Sequence, residues 1–162
     1  MFSGLSLHAI ESKGAIIIAS MEGQVTVTNN ESGLDLASDR IKVGGLLFDG
    51  HTIKTGAGSK VVLLFSSGTI TTLKEGSVLN IKKFAQQKFD PNTTGKLSGR
   101  KDEPSPSETV IDLSLGDMVV DVKKLKKESS FNIDSPVGTA GIRGTIPRIS
   151  VVKLPDGGFN QT

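Results

Sequence analysis

Acyl-transfer or hydrolytic chemistry in this chain would have to use His51 or His8, the two histidines it contains, because a serine hydroxyl needs a base beside it. His51 has Asp49 close by and serines are plentiful. No Gly-x-Ser-x-Gly segment frames any serine, however, and His51 falls where a turn passes into an extended run, an ordinary place for a polar surface residue. His8 lies in an N-terminal stretch without strand patterning. The carboxylates and the two histidines show neither calcium-loop nor zinc spacing. Asp112, Asp117, Asp121 and Asp134 are the carboxylates that a β-fold can bring together as a pair for glycoside cleavage, but acidic residues at strand ends usually face water. Gly138, Gly141 and Gly144, three apart, imitate a phosphate loop, yet neither a Lys-Ser/Thr pair nor a helix pattern follows them. The reading is of a protein with no catalytic, cofactor-binding or metal-ligating residue, and not an enzyme.

Binding is better served. Lys123, Lys124, Lys126 and Lys127 surround Leu125, a run suited either to phosphate or an acidic polysaccharide, or to a solvated strand edge that repels edge pairing. Arg143, between two glycines, carries five donors in a rigid fork. It either clamps backbone carbonyls or a carboxylate inside the domain, or contacts a partner. These five residues are the candidates for partner binding.

The elements that must position them are almost all strands. Val25 and Val27 alternate with threonines, Phe131 and Ile133 with Asn132 and Asp134, and Met118, Val120 and Val122 with Val119 and Asp121, each set giving one inward face. Ile16 to Ala19, Val61 to Phe65 and Ile149 to Val152 are nearly continuous apolar runs, the pattern of strands buried on both faces. Turn residues recur at Asp49-Gly50, Gly56-Ala57-Gly58, Ser66-Ser67-Gly68, Lys74-Glu75-Gly76, Leu115-Gly116-Asp117 and Pro155-Asp156-Gly157-Gly158. Helix is confined to short pieces, for example one or two turns from Leu34 to Arg40. The expectation is a single all-β domain, sandwich-like, with a β-solenoid-like coil as the alternative. It divides into a flexible segment 1–14, a β domain 15–152 and a tail 153–162. The polar stretch 85–108 inside the domain reads as a mobile linker between two strands, or as a loop ordered by a partner.

Composition narrows the function classes. A net charge of +2 on 162 residues supplies little of the long-range field expected of a DNA-binding protein, so no nucleic-acid partner is expected. Cysteine, Trp and Tyr are absent and seven Phe are the only aromatics, which removes disulfides and leaves few stacking platforms for sugars or bases. The longest apolar runs, Ala15 to Ala19 and Val61 to Phe65, fall far short of the roughly 20 residues of a membrane span, so the chain is not membrane-spanning as given.

From Gly23 to Thr145 the chain resembles the FecR-like domain, an exported bacterial all-β module first known from regulators of iron uptake. Gly23-Gln24-Val25-Thr26-Val27 resembles its opening strand, and Asp49-Gly50-His51-Thr52-Ile53-Lys54-Thr55-Gly56 its "G-D-x-I-x-T-G" segment. Ser59 to Phe65 with Gly68-Thr69, Leu73, Ser77 and Leu79 resembles the "S-x-x-x-L-x-F-x-x-G-T" continuation. Phe131-Asn132-Ile133-Asp134-Ser135-Pro136 followed by Ala140-Gly141-Ile142-Arg143-Gly144-Thr145 resembles the closing "F-x-I-x-T-P-x-x-x-A-x-x-R-G-T" signature. Gly68, Thr69, Pro136, Gly144 and Thr145 are its structural residues here.

The resemblance covers the module and not a whole sensor with a cytoplasmic segment, a transmembrane helix and a further periplasmic domain. It implies a non-catalytic exported domain, periplasmic or at the cell surface, that binds another envelope protein through strand edges or loops. The alternative is a structural or accessory subunit of a surface assembly such as a pilus. Pro136 fixes its own φ and holds Ser135 extended, so the strand from Phe131 should end in a set turn.

Overall fold

The computed structural model describes residues 12–143, 147–153 and 156–162. His8, Gly144 and Thr145 lie outside the described residues. The fold is all-β: β1 (Ile16–Glu22), β2 (Val25–Asn29), β3 (Leu46–Leu47), β4 (His51–Thr55), β5 (Lys60–Phe65), β6 (Ile70–Leu73), β7 (Val78–Gln86), β8 (Ser107–Asp121), β9 (Ser130–Ser135), β10 (Gly138–Gly141), β11 (Arg148–Lys153) and β12 (Phe159–Gln161). They join in one sheet, in the order β2-β4-β7-β8-β6-β5-β1-β3, which curls into a half-barrel. All pairs are antiparallel except β8 with β9.

Strand β8 is the spine. Up to Leu115 it pairs with β7 and β9, and from Gly116 onward with β6 and β11. Ser107, Thr109, Ile111 and Leu113 are buried in its first half, Met118 and Val120 in its second, so the inward positions change from odd to even numbers at the bend. Gly116 makes the change. Its φ is +99°, and a Cβ there would lie 2.1 Å from Ser77 Oγ and 2.5 Å from Ser77 Cα. An extra residue at a strand bend re-aims the side chains that follow, so both halves of β8 face one core. Leu115-Gly116-Asp117, read in the sequence as a turn, is therefore a bend within one continuous strand.

Both halves of the sheet feed a single hydrophobic cluster that includes Val27, Ile53, Leu79, Leu113 and Phe131 from one half and Ile16, Leu63, Phe65, Met118 and Ile149 from the other. Phe65 and Phe84 meet edge to face, with ring centroids 5.0 Å apart. The alternating sets at Val25, Phe131 and Met118 all bury their apolar members. The continuous apolar runs do not behave as read. Ile17 is 41% exposed and Val152 56%, and Val62 and Leu64 are half-buried, so β1, β5 and β11 bury one face only. Cross-strand neighbours partly cover the outer members: Ile17 faces Leu46 on one side and Leu64 on the other, and Leu64 faces Ile70.

Leu34 to Arg40 is irregular, closed by a turn in which the Arg40 N–H reaches Ala37 O at 3.0 Å, and it is not helical. Its residues 34–36 instead pair with β2, with Leu36 N–H donating to Val27 O at 2.7 Å. Lys13 bridges to Ala85, and β12 pairs with β11 inside the stretch read as a tail. No helix among the described residues is long and apolar enough to cross a membrane.

Candidate interaction surface

The 20 residues between β7 and β8 hold one short helix, α1 (Pro91–Thr94), capped by Asp90 through the Asn92 N–H, and one 3-10 turn (Leu97–Gly99). Their polar composition cannot by itself offset ordering entropy. The second half is nevertheless fastened, and the fastener is Glu103, which is wholly buried. Its Oε1 accepts the Lys126 backbone N–H at 2.6 Å and the Ser129 hydroxyl, while its Oε2 accepts the Ser107 hydroxyl at 2.5 Å. Ser129 Oγ in turn accepts the Ser107 N–H at 2.9 Å. A buried carboxylate is tolerated only when its lone pairs are met, and these three neutral donors do that. The expected mobile linker is thus pinned at its C-terminal end.

The same bonds gather the lysine run. It lies in the connection from β8 to β9 and not on a strand edge, apart from a parallel bridge of Lys124 to Asp102. Lys124 N–H donates to Lys101 O at 3.0 Å and Glu103 N–H to Lys124 O at 3.1 Å. Lys123 is ion-paired with Asp121 at 2.8 Å and Lys126 lies 3.7 Å from Asp102, while Lys124 and Lys127 are exposed with no ion pair among the described residues. Gly68, with φ +86°, sits beneath: a Cβ there would lie 3.2 Å from both Leu97 O and Lys123 Cγ. The signature glycine therefore lets the loop and the lysine run close over the β5–β6 turn. Thr69 beside it is buried and its Oγ1 is 3.3 Å from Ser67 Oγ.

Pro136 and Val137 form the two-residue turn between β9 and β10, as the fixed φ of proline requires. Ser135 and Gly138 close that turn, and Ile142 N–H donates to Phe131 O at 2.8 Å. Antiparallel pairing alternates, so Gly138, Ala140 and Ile142 turn their backbone groups toward β9, while Thr139 and Gly141 turn theirs away. Among the described residues β10 pairs with β9 alone. Arg143, beyond it, is exposed and makes no hydrogen bond or ion pair with the described residues, which corrects the reading of a buried clamp. It lines a shallow pocket of about 240 Å³ with Ser130, Phe131, Asn132, Gly141 and Ile142.

On the outer face, Thr52, Asn80, Asp112, Asp134 and Thr139 stand in register across five strands. A bulge at Lys82 carries its ammonium to Asp134 at 3.0 Å and Asp112 at 3.3 Å. Hydrogen bonds from Thr139 and then Lys82 hold the Asp134 carboxyl below its ordinary value, and bonds to Asp134 and then Asp112 raise Lys82. Of the four aspartates, the fold thus pairs Asp112 with Asp134 around a lysine, an arrangement that keeps Asp134 ionised rather than ready to donate a proton. Asp117 and Asp121 lie in the other half of β8, Asp117 3.9 Å from Arg148. His51 Nδ1 lies 3.1 Å from Phe48 O, in a groove of about 600 Å³ shared with Lys13, Asn29, Asn30 and Lys82. Among the described residues no three His, Asp or Glu side chains converge as a metal ion requires.

The model of the FecR protein family matches residues 51–157 of this curled sheet, and the chain belongs to that family. The family is one of regulatory and signalling domains, typically periplasmic, and is not a known enzyme family. No curated protein and no solved structure matches the chain.

Proposed function

We propose that this chain is a non-catalytic interaction domain of the bacterial envelope, periplasmic or at the cell surface, whose partner is a protein that adds an extended segment to β10. The observation that carries this reading is the edge at Thr139 and Gly141, which no other strand among the described residues pairs. Exposed edges pair with other chains unless lysine, proline, a bulge, short length or a covering segment protects them. β2, at one end of the sheet order, is covered by residues 34–36, and β3 and β12 are two and three residues long. β10 is Gly-Thr-Ala-Gly, without charge, proline or bulge.

The test is a photo-crosslinking residue placed at Val137, which is 53% exposed in the turn before β10. In intact cells it should capture one discrete envelope protein, and Gly141→Pro should abolish the capture by deleting an outward N–H. A Cβ at Gly141 meets only Asn132 Oδ1 at 3.5 Å, so a side chain has room there. Undiminished capture in the Gly141→Pro protein, or capture of cytoplasmic proteins only, contradicts the proposal.

A further inference from the structure

We propose that Lys101 of the β7–β8 loop and Lys124 and Lys127 of the β8–β9 connection form one cationic face, assembled by the Glu103 latch, that takes an acidic segment of the protein bound at β10. The two lysine sources are far apart in sequence. They are brought side by side by the backbone bonds of Lys124 to Lys101 and Glu103, and are locked there by Lys126 N–H and two serine hydroxyls on the Glu103 carboxylate. Neighbouring cations are ion-paired, Lys123 with Asp121 and both Arg100 and Lys126 with Asp102. Lys101, Lys124 and Lys127 are exposed and have no ion pair among the described residues. A preassembled set of uncompensated charges speeds association with a complementary partner and excludes like-charged ones.

The chemistry of the face selects the partner. The chain has no Trp or Tyr to stack on sugar rings. Among the described residues the large exposed apolar ones, Ile17, Leu34, Val43, Leu46, Val137, Val152 and Phe159, lie on segments other than this face, which therefore offers no apolar anchor for a bilayer. The face is also continuous with the β10 edge. Ser129, a donor to Glu103, precedes Ser130, which lines the shallow pocket with Gly141 and Arg143. The start of β9 thus joins the two, with Ser129 at the latch and Ser130 at the pocket. The protein nature of the partner rests on the proposed function; the existence and construction of the face do not.

The experiment uses the full chain and fluorescein-labelled octaglutamate, followed by anisotropy at low ionic strength. Binding should be saturable, fade with added salt, and weaken about tenfold in Lys124→Glu/Lys127→Glu and several-fold in Lys101→Glu. In a Glu103→Ala background, with folding checked by circular dichroism, Lys101→Glu should change binding by less than about twofold because the loop is no longer latched. Ser129→Ala, which removes one donor, replaces Glu103→Ala if that variant does not fold, and should reduce the Lys101→Glu effect in part. Gly141→Pro should leave octaglutamate binding unchanged, so failure at the edge and failure at this face are read separately. Absence of saturable binding, a Lys101→Glu protein that binds like the parent, or tighter binding of polygalacturonate or phosphatidylglycerol vesicles than of octaglutamate overturns the proposal.

Discussion

The buried carboxylate of Glu103 accepts the backbone N–H of Lys126 at 2.6 Å, tying together two connections that Lys124 also joins through its backbone bonds to Lys101 and Glu103. This side chain, with those backbone bonds, orders the end of the β7–β8 loop and sets the conformation of the lysine run. An acidic residue acts here as the organiser of a basic surface.

Removing it leaves two hydroxyls and a backbone N–H without their acceptor. Glu103→Ala should cost about 2–4 kcal/mol in urea denaturation and speed proteolytic cleavage between residues 87 and 102. Glu103→Gln should recover only part, since an amide nitrogen must oppose one of the donors. Replacing residues 87–106 with a four-residue turn should destabilise by a comparable amount; unchanged stability in that deletion would show that the latch contributes nothing.

The Lys82 bridge predicts a pH signature. The Asp134 carboxyl lies below its ordinary value of 3.8 in the folded protein, so its contribution is present above that pH and lost as the pH falls through the depressed value. Lys82 lies above its ordinary 10.5, so its contribution is present below that pH and lost on rising through the raised value. The stability gap between the parent and Asp134→Asn should thus be flat near neutrality and shrink in acid and in strong base. Because the Lys82 side chain is 43% exposed, the gap should be small and should fade with salt. A gap that grows in acid contradicts the assignment.

Gly116→Ala tests the bend in β8. The added Cβ must clear Ser77 Oγ and Cα while the backbone holds a left-handed φ, and the loss should be about 3 kcal/mol or more in thermal or chemical unfolding. Ser77→Gly on top should restore only part, because the backbone at position 77 still lies 2.5 Å from the new methyl group. A Gly116→Ala protein that unfolds like the parent would mean that the bend does not need glycine.

Much of the architecture was legible in period-two patterning, because Val25 and Ile133 alternate with polar neighbours and bury as read. Ile17, Val62 and Leu64 were misread because β-branched and apolar residues also occupy outward positions, where cross-strand pairing shelters them enough to hide the alternation. Gly116 carries the residue type of a turn, and only long-range pairing distinguishes a bend from a reversal. The candidate surface was half legible. Lys124, Lys127 and Arg143 were singled out as candidate contacts, with a solvated strand edge and an internal clamp as their alternatives, but Lys101 and Glu103 sit in a polar stretch whose local sequence resembles any linker. What buries Glu103 is a set of donors as far away as Ser129, 26 residues on, and no local pattern reports such a meeting.

Amide hydrogen exchange on the domain bound to its crosslinked envelope partner tests strand addition at β10 most directly. Gly138, Ala140 and Ile142, already turned toward β9, should exchange slowly with and without the partner. Thr139 and Gly141 should exchange fast in the free domain and slow by at least about tenfold when the partner is bound. Protection gained only at other segments, such as β12 or residues 34–36, with Thr139 and Gly141 unchanged, would contradict the account.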